Sequence, residues 1–146
     1  MGRDDEKLIA YCGLYCGDCT SYKGEVADLA RDLRKKLREA KFDQFARVLS
    51  PVFKEFADYD KCYNTLGAMV RMRCPRSCRS GGGNPGCQVR SCALKKGLDG
   101  CWECDDSESC VKFAFLQTVH GDACQKNLRR LAKHGKAAFV KGKRDW

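Results

Sequence analysis

Between residues 73 and 110 the chain reads RCPRSCRSGGGNPGCQVRSCALKKGLDGCWECDDSESC, with seven cysteines among clustered glycine, proline and charge. A stretch so poor in apolar side chains cannot bury enough surface to offset the entropy lost in ordering its turns. Something other than packing must cross-link it. Twelve of the 146 residues are cysteine, near the density at which small folds rest on disulfides or metal. The segment MGRDDEKLIAYCG is charged and lacks the basic-then-apolar pattern of an export signal. That favours a reducing cytoplasm, where grouped thiols hold metal more often than disulfides. No apolar run approaches the roughly 20 residues that cross a bilayer, so no membrane is expected as a partner.

The thiols come in short-spaced sets. Cys12, Cys16 and Cys19 are spaced C-x3-C-x2-C, Cys74 and Cys78 C-x3-C, Cys87 and Cys92 C-x4-C, and Cys101 and Cys104 C-x2-C, with Cys110 following. A tight C-x2-C turn delivers two thiolates to one tetrahedral ion without strain, so zinc is the expected metal at these ten positions. Iron–sulfur clusters use the same ligands and are the alternative. Cys12, Cys16 and Cys19 read as three legs of one site whose fourth ligand comes from the later region. The opening set also has the spacing of radical S-adenosylmethionine enzymes, but Asp18 precedes its last cysteine and no partial βα barrel is in evidence. A thioredoxin couple at Cys16 and Cys19 would need a βαβ platform before it. Cys62 and Cys124 stand apart on helical faces and read as buried small hydrophobes. His120 and His134 fall at helix ends, and GGGNPG at 81–86 lacks the Lys and Ser/Thr of a phosphate loop and reads as a flexible turn. No credible acid, base and nucleophile set emerges, so an enzyme is the less favoured reading.

A single domain over 1–146 is expected, mainly α, with four to five short helices, irregular metal-stapled loops and little β-structure. The first cysteine cluster occupies 8–23. Residues 25–72 are helical: Val26, Leu29, Ala30, Leu33, Leu37 and Ala40 form one stripe, and Phe42, Phe45, Ala46, Leu49, Val52, Phe53 and Phe56 another. Ser50-Pro51 marks a break, with Ser as a cap and Pro at the first helical position. A third helix over 60–72 turns Cys62, Leu66, Met69 and Val70 inward. After the loops of 73–110, helices fill 108–135, the last capped by Asp122 and stopped by Gly135. Residues 136–146 form a basic tail.

The formal charge is +9. Nucleic acid is therefore a possible partner, through Arg71, Arg73, Arg76 and Arg79 and through Arg129 and Arg130. A solvated basic face is the plainer reading, and the signatures of common nucleic-acid folds are absent. An unidentified protein is the favoured partner.

The stretches YCGLYCGDCTSY at 11–22, CPRSCRS at 74–80, CQVRSCALKKGLDGCWEC at 87–104, Cys110 and NLRRLAKHG at 127–135 carry a family likeness. The chain resembles the small bacterial and archaeal proteins grouped as domain of unknown function 3795, marked by a CGL motif. It differs from that pattern in the three residues between Cys74 and Cys78, and in Asn84 where a further cysteine often stands. The resemblance implies a cysteine-rich, metal-binding protein and no particular activity.

Overall fold

Short helices and 3₁₀ turns carry nearly all the regular backbone of the computed structural model, which describes residues 3–146. Among the described residues the β-structure is one isolated antiparallel bridge, Ile9 to Tyr15. The α-helices are α1 (Arg3–Glu6), α2 (Thr20–Lys23), α3 (Glu25–Glu39), α4 (Phe42–Leu49), α5 (Tyr59–Arg71), α6 (Gln88–Lys95), α7 (Ala114–His120) and α8 (Ala123–Lys141). The mainly helical expectation holds, with more and shorter helices than the four or five anticipated. The chain divides into two units: Lys23–Cys74 is one, and the residues up to Tyr22 together with Pro75–Trp146 are the other.

In the unit Lys23–Cys74, α3 turns a different face inward from the one its leucines suggest. Ala27 and Ala30 are buried, whereas Val26, Leu29 and Leu33 are 46%, 72% and 49% exposed. The reason lies on α5. Arg34 shares the alanine face, places its guanidinium 4.3 Å from the centre of the Tyr63 ring and lies against Gly67, where an added Cβ would stand 3.1 Å from it. Small residues on both helices allow this close approach, and the leucines are left outside. Arg73 returns at the end of the unit to pair with Asp28 in the first turn of α3. Its guanidinium holds the Asp28 carboxyl below the usual range, with Arg31 adding to the effect.

The second stripe is also only partly buried: Ala46 is enclosed, but Phe45, Val52 and Phe53 are more than half exposed. Ser50 does not cap a new helix. Its hydroxyl donates back to the Arg47 carbonyl, and a turn leads to a 3₁₀ segment at Lys54–Asp58. Cys62 is exposed on α5, not turned inward, because α3 takes the opposite face.

The other unit has its core where the N-terminal segment meets α6 and α8. Tyr11, Leu14, Val89, Ala93, Cys101, Phe113, Ala123, Cys124 and Leu128 form one buried cluster, and Ile9, Tyr15, Leu131 and Phe139 a second. Gly13 has φ +85°, and a Cβ there would come within 3.1 Å of Leu128 on α8. The glycine of the CGL turn is therefore required both by its backbone and by its neighbour. Gly135 (φ 76°, ψ 170°) kinks α8 but does not stop it; the chain resumes helical form to Lys141. Residues 136–141 are thus helix and not tail, and Phe139 is buried within them. Asp122 precedes α8 without capping it through its side chain, pairing instead with Lys126 at 2.9 Å. Buried Asn127 donates to the Asp145 carbonyl at 2.8 Å and accepts from its amide at 3.0 Å, which fixes the segment after α8 onto the helix.

Candidate metal centre

The first cysteine segment is held as a tight loop. Ala10 N donates to Leu14 O at 2.8 Å and Cys16 N to Leu8 O at 2.7 Å, and Cys101 N reaches across to Tyr11 O at 2.8 Å. One backbone bond thus joins the N-terminal motif to the C-x2-C knuckle ninety residues later in sequence. The knuckle is itself a 3₁₀ turn, Cys101–Glu103, with Cys104 N bonded to Cys101 O. Cys16–Asp18 repeats the same turn, with Cys19 N bonded to Cys16 O.

Arg79 is the main pin of this assembly, and its side chain is only 17% exposed. Nε donates to Ile9 O at 2.6 Å, one terminal nitrogen to Asp99 Oδ1 at 3.1 Å, and the other to Asp99 O at 2.6 Å. The guanidinium lies 4.6 Å from the Tyr11 ring centre and 5.6 Å from that of Trp102. Lys136 reaches the second Asp99 oxygen at 2.8 Å. This lysine and Arg79 together hold the Asp99 carboxyl below its ordinary range. Arg90 secures the glycine-rich turn by donating to the carbonyls of Cys78, Gly82 and Asn84, so that turn is tethered and not free.

The thiols fall into neighbourhoods that spacing alone does not show. Cys92, Cys101, Cys104 and Cys110 line one cleft of about 280 Å³, together with Lys96, Asp106 and Phe113. Lys96 Nζ stands 3.5 Å from Cys104 Sγ. Burial pushes the Cys101 thiol up to about 12, and Cys12, Cys104, Cys110 and Cys92 add to the effect. Cys12 and Cys124 are paired: Cys12 donates toward Cys124, which raises the Cys12 thiol well above the usual range and lowers that of Cys124. Cys12, Cys78 and Cys87 pack against the buried cluster that contains Cys124. Burial raises Cys78, with Cys12 and Cys87 both in electrostatic reach. Cys16 Sγ accepts the Cys78 amide at 3.4 Å, and burial pushes this thiol up to about 11. Cys74 closes the unit Lys23–Cys74.

All twelve cysteines are free thiols. Among the described residues no group of three or more His, Cys, Asp or Glu side chains already stands in a geometry that holds an ion. The donor chemistry nevertheless fits a thiophilic metal, since four thiols face one cleft and a cation there offsets thiolate charge. His120 stacks edge-on against Trp146 at 4.9 Å, and burial lowers its imidazole. His134 is exposed.

Sequence reasoning missed the partnership of Cys124, which looked solitary, and the inward turn of Arg79. Arg79 stands in a basic run that suggests nucleic-acid contact, yet its guanidinium is taken up by Ile9 and Asp99. Of the other arginines so suggested, Arg73 pairs with Asp28, Arg129 with Glu108 at 2.6 Å and Arg130 with Asp145, while Arg71 and Arg76 are exposed.

The model of one protein family, described as "Protein of unknown function (DUF3795)", matches residues 8–115. That span contains the ten cysteines nominated as ligands. No curated protein matches the chain. No solved structure matches it either.

Proposed function

The chain belongs to the DUF3795 family, and from that premise we propose that it is a zinc-binding module, stapled by cysteine-ligated metal, that acts by holding a protein partner. The observation that carries this reading is the cleft lined by Cys92, Cys101, Cys104 and Cys110. Four thiolates on one ion would add a tie between α6, the knuckle and the turn before α7, which already meet through Val89, Ala93, Cys101 and Phe113. Structural zinc contributes about 10–16 kcal/mol of apparent binding free energy in small fingers, enough to fold such loops. Exposed Leu29, Val48 and Val52, each above 70% exposure, support the partner half of the reading.

Metal analysis of protein purified without added zinc tests it. At least about one zinc per chain is expected, with loss of ordered structure on chelation. Zinc-free protein that remains folded overturns the proposal. The second reading is an iron–sulfur redox protein, since a cluster takes the same thiolate ligands that line this cleft. Iron with acid-labile sulfide and broad visible absorbance would establish that reading in place of zinc.

A further inference from the structure

On the unit Lys23–Cys74, α3 leaves a continuous apolar line in the open. Val26, Leu29 and Leu33 are exposed, and half-buried Leu37 extends the line by one turn. Their spacing of three, four and four residues is that of a coiled-coil seam, in which one narrow helical face meets another helix. α5 packs on the neighbouring alanine face, where Ala27 and Ala30 are buried, and leaves the seam uncovered. The charges of α3 are polarised along its length. Residues 25–32 carry three acids and one base, whereas residues 33–39 carry four bases and one acid. Glu25 has no salt-bridge partner among the described residues. Lys36 reaches Glu39 at 3.2 Å, and Lys35 approaches the same carboxylate at 3.9 Å. Glu25 and Lys36 lie on the same edge of the seam, about three turns apart.

We propose that this seam is a homodimer interface, in which α3 packs antiparallel against α3 of a second copy. This rests on the reading of the chain as a partner-binding protein, identifies the partner as another copy and makes no use of the metal. A helix acidic at one end and basic at the other complements itself only when reversed. The antiparallel pair sets the acidic half of each copy against the basic half of the other, whereas a parallel pair sets like against like. The two-fold axis then passes between Leu29 and Leu33. Leu29 of each copy meets Leu33 of the other, so one patch serves both sides. In that register Lys36 of each copy falls beside Glu25 of the other, at the rim of the apolar strip. Lys36 then leaves Glu39 to Lys35 and pairs across the interface, giving two salt bridges related by symmetry. α3 has 15 residues and is about 22 Å long, so the strip is narrower than the interface of an obligate dimer. A dimer with a Kd on the order of 10 µM, in exchange with monomer, is the expected assembly.

The test is analytical ultracentrifugation of the full chain, with the metal it acquires during expression, from about 1 to 300 µM. Wild type should pass from monomer to dimer across that range; a chain still monomeric at the top of it overturns the inference. L29E sets a carboxylate against Leu33 of the second copy at the centre of the seam and should weaken association by about tenfold or more. Leu29 is 72% exposed, so the monomer should keep its melting temperature. An L29E chain that dimerises like wild type overturns the seam as the interface. K36E leaves the seam apolar but sets two like-charged pairs at its rim, and association about fivefold weaker is expected. E25K/K36E exchanges the two charges and should restore the affinity. Failure of that double variant to regain what K36E loses overturns the antiparallel arrangement. Should L29E unfold, K36E and E25K/K36E decide the matter, since neither alters an apolar residue. Zinc content measured on the same samples keeps the two readings apart. Zinc-free wild type that dimerises overturns the metal half of the proposed function and supports the interface; a zinc-bound monomer overturns the interface alone.

Discussion

Replacing Arg79 with alanine removes three hydrogen bonds and two ring contacts at once. The Ile9 and Asp99 carbonyls lose a donor, and the Asp99 carboxylate keeps only Lys136. Charged hydrogen bonds contribute about 1.5–3 kcal/mol each when buried, and cation–π contacts about 0.5–1 kcal/mol at exposed sites. Asp99 is 41% exposed, so water replaces part of the loss at its carboxylate. The net expectation is about 3 kcal/mol for R79A, set mainly by the two carbonyls. R79K keeps the charge but not the planar fork, and should cost about 1.5 kcal/mol. D99N, at the wetter end, should cost about 1 kcal/mol. At about 2–4 °C per kcal/mol for a chain of this size, R79A lowers the melting temperature by about 6–12 °C. The assay is thermal unfolding followed by circular dichroism, at fixed protein and zinc concentration and at two ionic strengths. The reasoning is refuted if R79A melts within about 2 °C of wild type, or if its deficit disappears in high salt. Either result would make Arg79 a surface charge and return it to the solvated basic face.

Asp99 and Asp145 are both held below the usual carboxylate range, by Lys136 with Arg79 and by Arg130 respectively. Their contribution is therefore present above the unfolded carboxylate range near pH ~4 and lost as pH falls through the lower folded values. D145N should flatten that acid limb in pH-dependent unfolding, and an unchanged limb counts against the pairing. G82A would set a Cβ 1.8 Å from the Arg76 carbonyl oxygen, so the turn must open; a loss of about 3 kcal/mol in urea unfolding is expected, and a neutral result would show that the turn relaxes freely. In metal-free chain, timed alkylation should label exposed Cys62 first and Cys101 among the last. Early labelling of Cys101 would contradict its burial.

Helical content and the scarcity of strand were legible because apolar periodicity and turn residues act locally. The break after Leu49 was visible for the same reason. Which face of α3 turns inward was not, since Gly67 and Tyr63 on α5 decide it and neither carries a signal in the α3 sequence. Gly135 shows the limit of a local rule: a glycine can end a helix, but burial of Phe139 makes it a kink instead. Short spacings found the Cys101–Cys104 knuckle, because two thiols on one turn are necessarily close. They did not reveal Cys124, 112 residues from its neighbour Cys12. Arg79 misled for a related reason. A guanidinium in a basic run looks solvated until a distant carboxylate and two aromatic rings are known to receive it.

The unit built from both ends of the chain has a consequence for synthesis. Asp18 is bonded by Arg144, 126 residues later, at 2.7 Å. At about 5–20 residues per second, a ribosome needs on the order of 6–25 s to make that interval. The intervening Lys23–Cys74 helices depend on neighbours made close together and can form during the wait. Cys12, Cys16 and Cys19 cannot, and they leave the exit tunnel well before Arg79, Cys101 or α8 exists. For those seconds the nascent chain displays an unpaired thiol cluster to whatever metal or oxidant the surroundings hold. How long those thiols stand open is then a question of translation speed as much as of folding rate.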